Sequence, residues 1–251
     1  MITLKTGREL SLMKEACRIS ANALRLAGRA VEPGVSTLEI DTIVRKYIEG
    51  EGAKPNFLGY GGFPGSACIS VNDTVIHGIP SKKIILREGD IVSIDTGAVL
   101  NGYNGDNAAT FAVGKISEKA QALLTATEES LYEGIRYAVV GGRLGDIGSA
   151  VERYVTERGY SVVRDFVGHG IGTNLHEDPN VPNYGTPHRG VRLAAGMTLA
   201  IEPMVNAGSY KVKTLQDGWT VKTADSSLSA HFEHTVAITA NGPVILTQAD
   251  I

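Results

Sequence analysis

A chain of 251 residues with a net charge of −3 and no basic block does not suit nucleic acid or an anionic membrane as its main partner. The N-terminus has no apolar core of a secretion signal, no stretch is long and apolar enough to span a bilayer, and two cysteines (Cys17 and Cys68) make no disulfide framework or metal motif. A hydrophobic share of 43% and 30 glycines suit a globular cytoplasmic enzyme of mixed helix and strand.

Leu12, Ala16, Ile19, Ala23, Leu26 and Ala30 recur at helical spacing and predict a helix over 8–30, stopped at Pro33-Gly34. Ser36 and Glu39 make a capping box for a second helix carrying Leu38, Ile40, Ile43, Val44, Tyr47 and Ile48, which ends near Gly50-Glu51-Gly52. Residues 55–65 read as a loop rich in glycine and aromatic residues, and Cys68–Val71 as a short strand. Residues 91–99 and 104–113 predict two strands joined by Asn101-Gly102, a hairpin turn signal. Ser117 opens a long helix to about Ala138, another helix runs from about Leu144 to Arg158, and a final strand spans about Ala230 to Ile238. Helix pair followed by strands occurs twice. That order predicts an α+β fold, an antiparallel sheet covered on one face by helices.

The two halves also match residue by residue. Residues 86–95 and 193–202 share Leu86/Leu193, Gly89/Gly196, Ile94/Ile201 and the closing acids Asp95/Glu202, all offset by 107. Upstream, Gly34, Ile40, Val44, Tyr47 and Gly52 recur at the same offset as Gly141, Ile147, Val151, Tyr154 and Gly159. One domain over 1–251, built from an internal repeat of about 1–115 and 116–251, is expected.

An acid ending an apolar strand is costly unless something compensates its charge. If Asn101-Gly102 is a two-residue turn, Asp95 lies opposite Ala108 and Asp106 opposite Gly97. Asp95 and Asp106 then become diagonal neighbours on one face, with Cα atoms roughly 7–8 Å apart. Gly97 is expected to leave room opposite Asp106. A lone pair of this kind can be a solvated hairpin, but the repeat supplies Glu202 as the partner of Asp95 and Glu233 as that of Asp106. His169, in Gly168-His169-Gly170-Ile171-Gly172, offers a nitrogen donor. Four carboxylates and one imidazole suit two divalent ions such as Mn, Fe, Co or Zn. His77 and His176 are candidates for donating to a substrate carbonyl or exchanging protons. His188, His231 and His234 read as structural or solvated. No Gly-x-Ser-x-Gly nucleophile motif, Walker loop or dinucleotide fingerprint is present.

Asp95, Asp106, Gly168-His169-Gly170-Ile171-Gly172, His176-Glu177, Ile201-Glu202-Pro203 and Phe232-Glu233-His234-Thr235 together resemble the bacterial type I methionine aminopeptidases. With Val71-Asn72, His77-Gly78-Ile79-Pro80 and Gly218-Trp219-Thr220, the resemblance covers essentially the whole chain. It implies the pita-bread (creatinase/aminopeptidase-like) fold, with two pseudo-symmetric halves and a central antiparallel sheet covered by helices. It implies two divalent ions held by Asp95, Asp106, His169, Glu202 and Glu233, with Asp106 and Glu233 bridging. Glu202 would shuttle the proton, and His77 and His176 would contact the substrate. Phe57, Tyr60, Phe63, Cys68, His77 and Trp219 would line the methionine pocket, and backbone carbonyls of Asn72, Thr74 and Ser229 would hold one Na or K ion. The implied activity is hydrolytic removal of N-terminal methionine from nascent proteins whose second residue is small and uncharged. The implied partner is the N-terminal peptide of a new chain, with room for transient ribosome association, and the implied state is a monomer. Phe57, Phe63 and Leu175 depart from residues common in the family, which bears on the fine shape of the pocket. The alternatives are a proline-specific aminopeptidase or dipeptidase of the same fold, which usually carries an extra N-terminal domain, and an inactive peptide-binding module, which typically loses ligands.

Overall fold

The computed structural model describes residues 1–250. Two helices come first, α1 (Gly7–Arg29) and α2 (Thr37–Gly50). Strands β1 (Lys54–Pro55), β2 (Ala67–Val71), β3 (Thr74–Ile76), β4 (Ile91–Leu100) and β5 (Tyr103–Ala112) follow. The second half opens with α3 (Glu118–Ile135) and α4 (Leu144–Thr156). Short strands come next: β6 (Ser161–Val162), β7 (Gly168–Gly170), β8 (Glu177–Val181), β9 (Thr198–Ile201) and β10 (Met204–Asn206). The chain ends with β11 (Val212–Thr214), β12 (Val221–Thr223), β13 (Ser229–His231), β14 (Glu233–Thr239) and β15 (Gly242–Ile245).

The helix starts follow local chemistry. Thr6 with Glu9 and Ser36 with Glu39 form capping boxes, and the Ser117 hydroxyl accepts from the Ala120 amide. Helix α3 stops at Ile135, short of the expected Ala138. The chain turns there so that Gly141 donates to the Leu193 carbonyl and Leu193 donates to Gly142.

The main sheet is antiparallel, in the order β1-β4-β5-β14-β9-β7-β8, with β2 on β4 and β15 on β14. Two smaller sheets, β13-β10-β6 and β11-β12-β3, flank it. Asn101 (φ 51°) and Gly102 (φ 81°) both take the left-handed conformation that a tight hairpin turn requires. Leu100 therefore pairs with Tyr103, Asp95 with Ala108 and Gly97 with Asp106. The expected final strand is broken. β13 pairs with β10, β14 pairs with β5 and β9, and Phe232 sits at the switch between sheets. Its partner strand bends at the matching place, because Glu202 and Pro203 separate β9 from β10 and proline has no N–H to donate to a ladder.

The 107-residue offset recurs in three dimensions. Helices α2 and α4 begin at Thr37 and Leu144, strands β4 and β9 at Ile91 and Thr198, and strands β1 and β6 at Lys54 and Ser161. Isolated bridges join Ser36 to Ile85 and Arg143 to Arg192. Gly89 and Gly196 have φ of 91° and 92°, a conformation a side chain rarely takes. Each half has its own core. Leu86, Val92, Ile94, Ile40, Val44 and Ile48 pack under α1 and α2, while Leu193, Leu199, Ile201, Ile147, Val151 and Val155 pack under α3 and α4. The opposite sheet face is left for other chemistry.

Ile40 and Ile147 are fully buried equivalents. Replacing either by alanine should lower the unfolding free energy by about 2–5 kcal/mol, as read from chemical denaturation. Ser36→Ala removes only a cap and should cost about 1 kcal/mol.

Candidate metal centre

Alternation in the sheet puts Ile94, Thr96 and Ala98 towards the helices and Asp95 towards the other face. The same rule sends Asp106, Glu233 and His169 to that face. Ala108 pairs with Asp95 on one side and Glu233 on the other, so a small residue lies between two acids. His169 pairs with Ala200, two residues before Glu202. These side chains and His77, His176, Phe57, Tyr60, Phe63, Cys68, Leu175 and Trp219 line one cavity of about 220 Å³. The space at Gly97 is not open, contrary to expectation. A Cβ there would meet Asn56 Oδ1 at 2.0 Å, so the glycine makes room for Asn56, which reaches Asn104.

The donor set calls for a cation. Asp95 Oδ1, Asp106 Oδ1 and Glu233 Oε1 are buried without a hydrogen-bond partner. Burial, reinforced by repulsion from neighbouring carboxylates, pushes Asp95, Glu202 and Glu233 well above the usual range, and burial raises Asp106 to about 7. His169 sharpens the conflict. Its Nδ1 lies 2.8 Å from the Gly170 carbonyl, which can only accept, so Nδ1 carries the proton. Burial lowers its pKa to about 3, which leaves Nε2 as a bare lone pair. That lone pair faces Asp106 Oδ2 at 3.8 Å and Glu202 Oε1 at 3.7 Å. With the acids ionised, acceptors face acceptors, and a proton or a positive ion must lie between them. Ligand atoms of Asp106, His169 and Glu233 lie within 4.8 Å of one another, and so do those of Glu202, His231 and Glu233. Cys68 adds no soft ligand, because burial and the nearby acids hold its thiol protonated. The residues fit hard or borderline divalent ions.

His231 was read from sequence as structural or solvated. It is instead 1% exposed, with Nε2 unpartnered and 3.5 Å from Glu202 Oε2. The signal lay in its position two residues before Glu233, but the break at Phe232 obscures alternation. His234 lies on the opposite face, bonded to Thr247 and Tyr132, and His188 is exposed.

The other histidines flank the acids. His77 has φ 57° and packs edge-on against Phe166 and Trp219. His176 Nδ1 lies 2.7 Å from the Tyr60 hydroxyl, and its ring centroid is 4.2 Å from that of His169. Away from the cavity, the Asn72 carbonyl accepts from the Ser229 amide, which brings two of the three residues named for a monovalent ion together. Thr74 begins β3 close by in sequence.

A family model described as Metallopeptidase family M24 matches residues 11–240. A methionine aminopeptidase of Clostridium perfringens is 57% identical over 247 residues, which is 98% of this chain and 99% of that protein. The crystal structure of a methionine aminopeptidase from Thermotoga maritima superposes with a TM-score of 0.97 at 47% identity, covering 99% of this chain and 100% of that one. A prolidase from Pyrococcus furiosus superposes at 0.79 and 27% identity, over 99% of this chain but 66% of its own. The fold is the pita-bread α+β fold that these proteins share.

The buried acids predict how metal-free protein responds to pH. Their folded-state pKa values lie above the unfolded ones, so the native state holds extra protons and loses stability as pH rises through the folded values. Buried His77 and His234, lowered to about 4, and His169 and His231, lowered to about 3, act in the opposite sense, but only below the unfolded histidine value. Above about pH 6.5 the carboxylates alone remain. In chelator, the melting temperature should therefore fall between about pH 6.5 and 8, and added divalent ion should flatten that slope.

Proposed function

The chain belongs to metallopeptidase family M24, and we propose that it removes the N-terminal methionine of new proteins when the second residue is small and uncharged. The observation that carries this reading is the pairing of a cation-demanding cluster with an apolar wall in one cavity. Asp95, Asp106, His169, Glu202 and Glu233 would hold two divalent ions, Mn, Fe, Co or Zn. Such ions, when bound, polarise a carbonyl and activate water near neutral pH.

The chain's own side chains do the rest. Phe57, Phe63, Cys68 and Trp219 enclose the methionine side chain, and the edge contact between Phe63 and Trp219 stiffens that wall. Asp95 faces the incoming amine. Glu202 accepts the proton of the attacking water and passes it to the leaving amine. His231 Nε2, 3.5 Å away, is placed to orient the Glu202 carboxylate. For His176 to donate from Nε2 to the developing oxyanion, its Nδ1 must accept from the Tyr60 hydroxyl 2.7 Å away. His77 donates to the substrate peptide from the facing wall.

The small second residue follows from the family resemblance. Carbonyls of Asn72, Thr74 and Ser229 would take one Na or K ion. A substrate of new chains would have the enzyme act in the cytoplasm near the ribosome, and the family resemblance implies a monomer; among the described residues no helix is long and apolar enough to cross a membrane. The likeness to a prolidase supports one rival, cleavage beside proline.

Release of methionine from Met-Ala-Ser, measured metal by metal after chelation, tests the assignment. Turnover should return with at least one of Mn, Fe, Co or Zn, and an Xaa-Pro peptide should remain uncut. No turnover with any of them sinks the reading. Asp106→Asn should lower kcat by roughly a hundred-fold or more, and His231→Ala by about 10–100-fold, the size expected for a group that orients a ligand.

A further inference from the structure

The third glycine of Gly168-His169-Gly170-Ile171-Gly172 touches nothing in the cavity. A Cβ at Gly172 would lie 2.4 Å from Lys5 Cε and 2.6 Å from Glu177 Oε1. The glycine leaves a channel for a lysine that crosses from the far end of the chain. Lys5 Nζ bonds Glu177 Oε2 at 2.5 Å, and the two side chains are 4% and 10% exposed. Lys5 is anchored at its backbone as well, since its amide donates to the Gly196 carbonyl at 2.7 Å.

Glu177 uses both carboxylate oxygens. Oε2 takes Lys5, while Oε1 accepts from the Asn174 amide at 3.1 Å and the Thr173 hydroxyl at 3.3 Å. The loop from Thr173 to Glu177 is closed on itself by that carboxylate. Asn104 holds its base by donating to the carbonyls of Gly172 and Thr173. His176 is the residue before Glu177, and its own side chain makes one hydrogen bond among the described residues, with the Tyr60 hydroxyl. A buried ion pair seldom adds stability over apolar residues of similar size, so its presence calls for a positional reason.

We propose that Lys5 is a positioning residue for His176: it locks Glu177, and Glu177 fixes the loop that aims the imidazole into the cavity. The inference rests on the peptidase reading above, in which His176 acts on the substrate. It gives a role to an N-terminal segment that lines no part of the cavity and to a glycine that the metal cluster does not use.

The test uses the full chain, reconstituted with metal, on Met-Ala-Ser. Lys5→Met should lower kcat by roughly ten- to a hundred-fold, the cost of a small misplacement, with KM changed by less than about two-fold. Calorimetric metal affinity should match the wild type, and Lys5→Arg should restore most of the rate. In a His176→Ala background, Lys5→Met should add less than about a two-fold effect, because the two residues act as one. If Lys5→Met folds poorly, the double variant Lys5→Met/Glu177→Gln leaves no charge unpaired. It should keep a wild-type melting temperature and metal affinity yet lack the rate. Unchanged kcat in Lys5→Met, or the same loss with and without His176, overturns the strut while the peptidase reading stands. No cleavage by the wild type with any metal overturns both.

Discussion

Four carboxylates share one face of a sheet, and that electrostatic conflict governs the rest of the structure. Each acid alone is a buried charge, and together they repel. The fold does not relieve this with lysine or arginine: the cationic partners lie elsewhere, and the nearest nitrogen, on His169, presents a lone pair. The sheet is arranged to hold the conflict in place. Both large cores are on the helix side, so the scaffold draws its packing energy from residues that never touch the site. The face with the acids is free to be poor in stabilising contacts, and a cation becomes part of the folded state.

Around the acids, orientation is controlled by backbone and hydroxyl groups on neighbouring elements. Gly170's carbonyl fixes the tautomer of His169, Thr235 exchanges hydrogen bonds with the Asp106 backbone, and Tyr60 meets His176. Such outer contacts are worth little as stability and much as geometry. They also explain why residues remote in sequence recur at the site: each ligand strand is supported by a different part of the chain.

The parts of this structure legible in sequence were those with local causes. Capping boxes placed helix starts, and Asn101-Gly102 set the hairpin register, from which the diagonal of Asp95 and Asp106 followed. The repeat located Glu202 and Glu233. What escaped had non-local causes. His231 could not be placed because the strand changes sheets at Phe232, and strand alternation says nothing across such a break. Asn56 arrives beside Gly97 from another element, so the glycine's purpose was misread. The early end of α3 depends on Leu193, which is distant in the chain.

Strand β14 lies between β5 of the first half and β9 of the second, so it is the seam of the main sheet. It is also made after the other strands that carry the site residues. Up to that moment the first half can form its helices and its hairpin from local contacts, but nothing joins β5 to β9, so Asp95 and Asp106 are not yet set opposite His169, Glu202 and Glu233. Pairings that span this much sequence form late and slowly. A chain not yet extended through β14 lacks Glu233 and the seam that brings His169 and Glu202 beside Asp95 and Asp106, so the making of β14 sets the time at which the cluster can close.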